Sequence, residues 1–371
     1  MSDSMRQSMI GESVARLFAD HVNRALLEKF EAGQWPQALW QLAADNGLTH
    51  ALATEDAGGI GATWSEAYPI LRGIGYWQVP LPLADTMIAA QLLSLAGIAI
   101  PDGPIALIEE GDDCALKADV DGAGLRLTGR AVRVAWAGAC RWALASLADG
   151  RIALLDLRDE QTVRIIARLN PAHEPADDVE LRGAPCIAHA ANPFPALRQP
   201  VRTLGAIAAG AMMVGAMEWL LEQSVQYAGD RVQFGRPIGK NQAIQQPLAL
   251  MAGDVAAARV ATIVACADAP HAQARDCTAT LFSAAVAKIR SGEAATRATA
   301  IAHQVHGAIG FTYEHALNFA TRRLWAWREI HGADAWWAAR LGEAAIAGRS
   351  SGFWPALTDR HFADMRSGPR R

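Results

Sequence analysis

Two strings in the C-terminal half combine residue types that can hold an anion beside a flat heterocycle. The first is Arg231-Val232-Gln233-Phe234-Gly235-Arg236-Pro237-Ile238, followed by Gln242 and Gln245. A guanidinium clamps a pyrophosphate through two parallel hydrogen bonds, a phenylalanine ring supplies an apolar wall, and the free N–H groups of a following helix face an anion. The second is Gln304-Val305-His306-Gly307-Ala308-Ile309-Gly310-Phe311-Thr312, in which glycine lets a ligand approach the backbone and Gln304 can hydrogen-bond it. Plainer readings stand beside these: an arginine-capped loop whose turn ends at Pro237, and a helix stop with Thr312 capping the next helix. His303, His306 and His315 lack a carboxylate or cysteine at helical spacing, so no metal is expected. A Gly-x-Ser-x-Gly elbow for a serine hydrolase is missing.

The elements around these strings change period twice. Apolar residues three and four apart over Ser13 to Phe30, Trp35 to Asn46 and Ala84 to Leu95 predict a helical region over residues 1–100, broken at Glu55 to Gly59 and at Pro80-Leu81-Pro82. Residues 101–195 alternate with period two at Leu125 to Thr128, Ala131 to Val134 and Arg151 to Leu157, with turn signals at Asp121 to Gly124 and Ala148 to Gly150. They predict a small antiparallel β domain in which Gly122, Gly124 and Gly129 are hairpin glycines. Long alanine-rich helices over Thr203 to Ala228, Pro247 to Ala267, Cys277 to Gln304 and Tyr313 to Arg328 predict a helical bundle over residues 196–371. Trp325, Trp327, Trp336 and Trp337 read as packing residues near its end.

Together the two strings resemble the acyl-CoA dehydrogenase family, and Trp40 to Gly47 followed by Glu55-Asp56-Ala57-Gly58-Gly59-Ile60-Gly61 is similar to that family's N-terminal segment. The resemblance implies a mainly α chain with a middle β domain: an N-terminal helical domain, a small antiparallel β domain and a C-terminal four-helix bundle. It implies FAD bound where two subunits meet, with Arg231, Gln233, Phe234 and Ile238, beside Gln242, on one side of the adenosine and pyrophosphate, and Gln304, Gly307 and Ala308 on the other. The implied activity is α,β-dehydrogenation of an acyl-CoA thioester, in a dimer or tetramer, with an electron-transfer flavoprotein as acceptor.

The family's base is a carboxylate. An ungapped match on Gly307 to Gly310 puts His331 at the usual glutamate position, and a match on Val214 to Met217 puts Gly205 at the position some members use instead. Neutral imidazole is an adequate base near pH 7, which makes His331 the catalytic candidate. In the middle region Leu107 to Asp113 and Arg133-Val134-Ala135 stand where the family carries Thr-Glu-Pro and Trp-Ile-Thr strings, so the flavin-facing hydroxyls are missing while the adenosine-side motif is kept. A second reading follows: a subunit without the base, similar to the non-catalytic half of heteromeric acyl-CoA dehydrogenases acting on steroid side-chain thioesters, which completes a partner's FAD site.

Composition bounds the rest. The chain has 371 residues, 51% hydrophobic and 19% charged, so most of it must be folded and buried. A net charge of −4 and the lack of a basic run give no footing for nucleic acid or an anionic membrane surface. The uncharged stretch Thr86 to Pro101 is shorter than a bilayer requires, so no membrane insertion is expected. Five cysteines with no CxxC pair, and an N-terminus without a basic-then-apolar segment, predict reduced thiols and a cytoplasmic location.

Overall fold

The structure is a computed structural model and describes residues 3–112, 114–122, 124–233, 235–271, 276–347 and 353–360. The N-terminal part contains α1 (Asp3–His21), α2 (Arg24–Glu31), α3 (Gln37–Asp45), α4 (Trp64–Tyr76) and α5 (Leu83–Leu95). The single helix expected over Ser13 to Phe30 is two, because the Asn23 side chain accepts the Leu26 N–H at 3.1 Å and restarts the chain as α2. Thr63 and Glu66 form a reciprocal capping box on α4. Every residue of α5 from Leu83 to Leu93 is buried, as expected of a helix apolar on all sides. Asp85 is the one acid in that helix.

The strands are β1 (Ile105–Glu109), β2 (Cys114–Asp121), β3 (Gly124–Ala135), β4 (Trp142–Ser146), β5 (Arg151–Asp156), β6 (Val163–Ile166) and β7 (Ala176–Ala191), in the order β1-β4-β5-β7-β3-β2 with β6 also on β7. All neighbours are antiparallel except β1, which runs parallel to β4, so the sheet is mixed. Leu125 to Thr128 and Ala131 to Val134, read as separate runs, belong to one strand, β3. Gly122 sits in the β2–β3 turn with φ +63, but Gly129 lies inside β3, where a Cβ would overlap the Ala115 carbonyl. Its role is close backbone approach rather than a hairpin turn.

The bundle consists of α6 (Pro200–Asp230), α7 (Gln242–Ala267), α8 (Thr278–His306) and α9 (Leu317–Glu329), with α10 (Asp334–Ala347) on α8 and a final α11 (Phe353–Thr358). A two-residue hairpin, β8 (Val232–Gln233) and β9 (Arg236–Pro237), joins α6 to α7. The helices long and apolar enough to cross a membrane are α6 and α7, not the Thr86 to Pro101 stretch. The apolar window of α6 is 83% buried and forms the core, whereas that of α7 is 28% buried and shows Leu250, Val260 and Ile263 on its surface. Helix α9 starts at Leu317, beyond the reach of a Thr312 cap. Thr312 donates to the Ile309 carbonyl at 2.9 Å, and His315 Nδ1 accepts the Leu317 N–H at 3.1 Å.

Candidate active site

The link between α9 and α10 carries His331 and is held from three sides. Lys288, fully buried on α8, donates through Nζ to the carbonyls of Trp327, Arg328 and Ile330, each at 2.8 Å. These acceptors end α9 and would otherwise be orphaned in an apolar interior. Burial pushes the Lys288 ammonium down to about 7, while three carbonyls around one nitrogen suit its charged form. Arg328 pairs with Asp334 at 3.0 Å across the link, and Trp337 Nε1 donates to the His331 carbonyl at 3.0 Å. Within this frame His331 takes φ +55, a left-handed conformation that non-glycine residues hold only when their surroundings impose it.

The imidazole lies against Gly205 of α6, where a Cβ would overlap the ring. The two positions that string matching proposed for a base therefore meet, and the glycine at one makes room for the histidine at the other. His331 Nε2 is 3.6 Å from Asp85 Oδ1, with the two side chains 13% and 12% exposed. Both residues line an inner cavity of about 30 Å³, walled by Leu81, Ile88, Ala208 and Met212, and also a cleft of about 870 Å³ running outward between β3 and the α9–α10 link. They stand at the junction of the two.

Charge in the cleft is mostly tied down. Glu174, at the inner end, is buried against Arg323 at 3.0 Å and accepts from Trp327 Nε1 and Asn170 Nδ2, each at 3.2 Å. Burial raises its carboxyl and Arg323 opposes the shift. Arg130 and Arg168 both bind Asp178, at 2.8 and 2.9 Å. Glu109 accepts the Arg202 N–H at 2.8 Å in the first turn of α6, and enclosure of its carboxyl pushes it up to about 8. At the mouth Arg202 and Arg340 face the Trp336 ring at 4.5 and 4.6 Å, and Trp336 Nε1 donates to Asp112 at 3.2 Å. Two of the four tryptophans read as packing, Trp325 and Trp336, line the cleft, whereas Trp327 and Trp337 are buried.

The anion-binding strings lie elsewhere. Arg231, Gln233, Gln242, Gln304, Gly307 and Ala308 are exposed, and none lines the cleft. The structure brings the two strings together on one apolar cluster of Ala228, Ile238 and Val305, with Tyr227 stacked on His306 at 4.5 Å. Phe234 lies outside the described residues. Arg236 donates to Asn241 and Gln245 to the Gly239 carbonyl, each at 2.8 Å, which fixes the hairpin and leaves Arg231 outward. Among the described residues no group of three His, Cys, Asp or Glu could hold a metal, and His306 Nδ1 is 2.8 Å from the Ala302 carbonyl.

Asp85, Glu174, Glu109 and Lys288 were not singled out as site residues from the sequence. Two carried a usable signal, since a single acid in apolar α5 and the only lysine of alanine-rich α8 are each anomalous on a buried helix.

The sequence matches the N-terminal domain of acyl-CoA dehydrogenases over residues 4–99 and their C-terminal domain over residues 203–345. Acyl-CoA dehydrogenase IpdE2 of Mycobacterium tuberculosis is 30% identical over 331 residues, covering 87% of this chain and 92% of its own. Among solved structures, the Tcur3481-Tcur3483 steroid ACAD superposes with a TM-score of 0.81 at 24% identity, covering 95% of this chain and 100% of that one. The ChsE4-ChsE5 complex from Mycobacterium tuberculosis gives 0.80 at 22% identity, covering 94% and 99%. With both terminal domains matched and a full-length relative at this identity, the chain belongs to the acyl-CoA dehydrogenase family.

Proposed function

We propose that this chain is an FAD-dependent acyl-CoA dehydrogenase subunit that removes hydrogen across the α,β bond of an acyl-CoA thioester, with His331 in place of the usual carboxylate base. The meeting of His331 and Gly205 at the inner end of the cleft carries this reading. The residues present fit the flavin by space and wall: the cleft is of dinucleotide size, bounded by β3 from Arg130 to Ala135 and by Trp325 and Trp336. Its lining contains no serine or threonine among the described residues, so ring contacts would fall to backbone groups. When bound, the flavin accepts a hydride from the β carbon. His331 takes the α proton, and the apolar walls around it keep the transfer away from water.

Arg231, Gln233, Phe234, Ile238, Gln242, Gln304, Gly307 and Ala308 serve the adenosine and pyrophosphate of a flavin seated mainly in a neighbouring chain, a reading supported by the described members of the set, none of which lines the cleft of its own chain. The site is then completed by oligomerisation, and electrons leave to an electron-transfer flavoprotein. Five cysteines, four of them buried and none in a CxxC pair, support a reducing, cytoplasmic setting.

A second reading has its own observation. An exposed hairpin and a cleft without hydroxyl donors among the described residues suit a non-catalytic subunit that completes an unlike partner's flavin site, and both similar structures, Tcur3481-Tcur3483 and ChsE4-ChsE5, are of two named components. The absorption spectrum of the chain purified alone separates the readings. Near-full FAD occupancy, bleached by an acyl-CoA, supports the enzyme; a colourless protein that stays so in excess FAD supports the half-site subunit.

A further inference from the structure

We propose that Asp85 is the positioning carboxylate of His331, holding the ring proton on Nε2 so that Nδ1 presents its lone pair to the substrate's α carbon. The inference rests on the reading of His331 as the base. A carboxylate inside α5 needs a reason, because moving one out of water costs several kcal/mol unless something answers its charge. Asp85 is 8% exposed in a helix buried on every side, and among the described residues no hydrogen bond reaches its carboxylate. Among the described residues its one basic neighbour within 4 Å is His331 Nε2, which can answer the carboxylate as an N–H donor or, once protonated, as a cation.

Other charges around the ring are engaged elsewhere. Glu174, from the turn before β7, is bound by Arg323; Lys288 of α8 is occupied by three carbonyls; Arg328 of α9 and Asp334 of α10 hold each other. Glu329, the last residue of α9, lines the outer cleft. Asp85 stands in the first turn of the 13-residue helix α5.

At 3.6 Å the pair is slightly too far apart for a hydrogen bond, and the proposal requires it to tighten when substrate binds, as catalytic pairs commonly do. A small rotation of the ring over Gly205, which offers no side chain in its way, closes the gap. The nitrogen that carries the proton is set by the partner of the other, as in any histidine that works as a base. In the proton step the α C–H bond breaks, an N–H bond forms at Nδ1, the electron pair passes into the thioester enolate, and the resulting imidazolium faces Asp85. Placing that charge beside a carboxylate lowers the barrier without asking Asp85 to take the proton itself.

Nitrogen-15 spectra of the histidine-labelled full chain, with His331 assigned through His331→Gln, read the tautomer directly. Wild type is expected to carry the proton on Nε2; a proton fixed on Nδ1 overturns the pairing without any variant having to fold. Asp85→Asn should lose the single tautomer and lower kcat for flavin reduction at least about tenfold with KM little changed, and Asp85→Glu should recover part of both. An unchanged tautomer and kcat in Asp85→Asn also overturn it. If the tautomer follows Asp85 but neither wild type nor His331→Gln reduces flavin with any acyl-CoA, the pairing stands and the reading of His331 as base falls.

Discussion

The cleft and the hairpin end of the bundle hold similar polar equipment and differ in what confines it. Around the inner end of the cleft polar groups meet counterparts within the same chain: His331 with Asp85, Glu174 with Arg323 and, behind the α9–α10 link, Lys288 with three carbonyls. At the hairpin, Arg231 and Gln233 are exposed, while the turn itself is anchored by Ile238 in its apolar cluster and by the Arg236–Asn241 and Gln245–Gly239 hydrogen bonds. A group confined by its own chain is positioned before ligand arrives, and a group confined on one side waits for a second surface. In the proposed function this difference places chemistry in the first region and sharing in the second.

The sharpest way to break this division is His331→Ala. Flavin reduction by an acyl-CoA should fall by about a hundredfold or more while flavin content is kept, as stopped-flow absorbance with a parallel flavin assay will show. A retained rate removes His331 from the reaction and leaves the cleft as architecture. Arg231→Ala comes next and tests the other region: FAD affinity should drop by about tenfold to a hundredfold, the worth of a charge-assisted contact, with the fold intact. Unchanged occupancy sinks the placement of the pyrophosphate at the hairpin.

Gly205→Ala sharpens the comparison, because it adds one methyl where the cleft has no slack. Overpacking against the imidazole should cost about 1–3 kcal/mol in urea unfolding and slow flavin reduction by displacing the ring. The equivalent change at Gly235, where a Cβ meets nothing within 4 Å, strains only a left-handed turn with φ +79. If the two variants behave alike, close packing at His331 is not what sets the site.

The parts of the fold legible in the sequence were those fixed by local pattern. The bundle helices lie within about five residues of their expected bounds because long runs of apolar and helix-forming residues, 13 to 31 residues in each, are set off by breakers such as Gly235-Arg236-Pro237 and Gly307. Asn23 was missed as a break because one capping side chain interrupts the chain without disturbing the apolar spacing around it. The parallel β1–β4 pair was invisible for another reason: it joins strands with two others between them, and alternation within a strand carries no record of its partner's direction. The site followed the same rule. His331 emerged from matching a short string, whereas Asp85 and Lys288 gain their meaning from contacts with the far end of the chain or across helices, which no spacing records.

Glu109 offers the smallest effect and a test of the cleft's preorganisation that needs no ligand. Its carboxyl is raised from the ordinary glutamate value to about 8, so between roughly 4.5 and 8 the folded state holds a proton that the unfolded chain has released. Stability attributable to Glu109 is therefore fully present below 4.5 and declines as pH rises through 8, at no more than about 1.4 kcal/mol per pH unit. The Ser146 side chain, the Arg202 N–H and the Arg202 guanidinium hold the carboxyl down, so the rise stops at about 8 despite its enclosure. Urea unfolding of wild type at pH 5.5 and 7.5 should show the loss, and Glu109→Gln, which keeps an oxygen for the Arg202 N–H but no titrating proton, should flatten it. An identical slope in the variant would mean that the carboxyl is solvated through the cleft mouth, and that the region is less closed than the Asp85 and His331 pair requires.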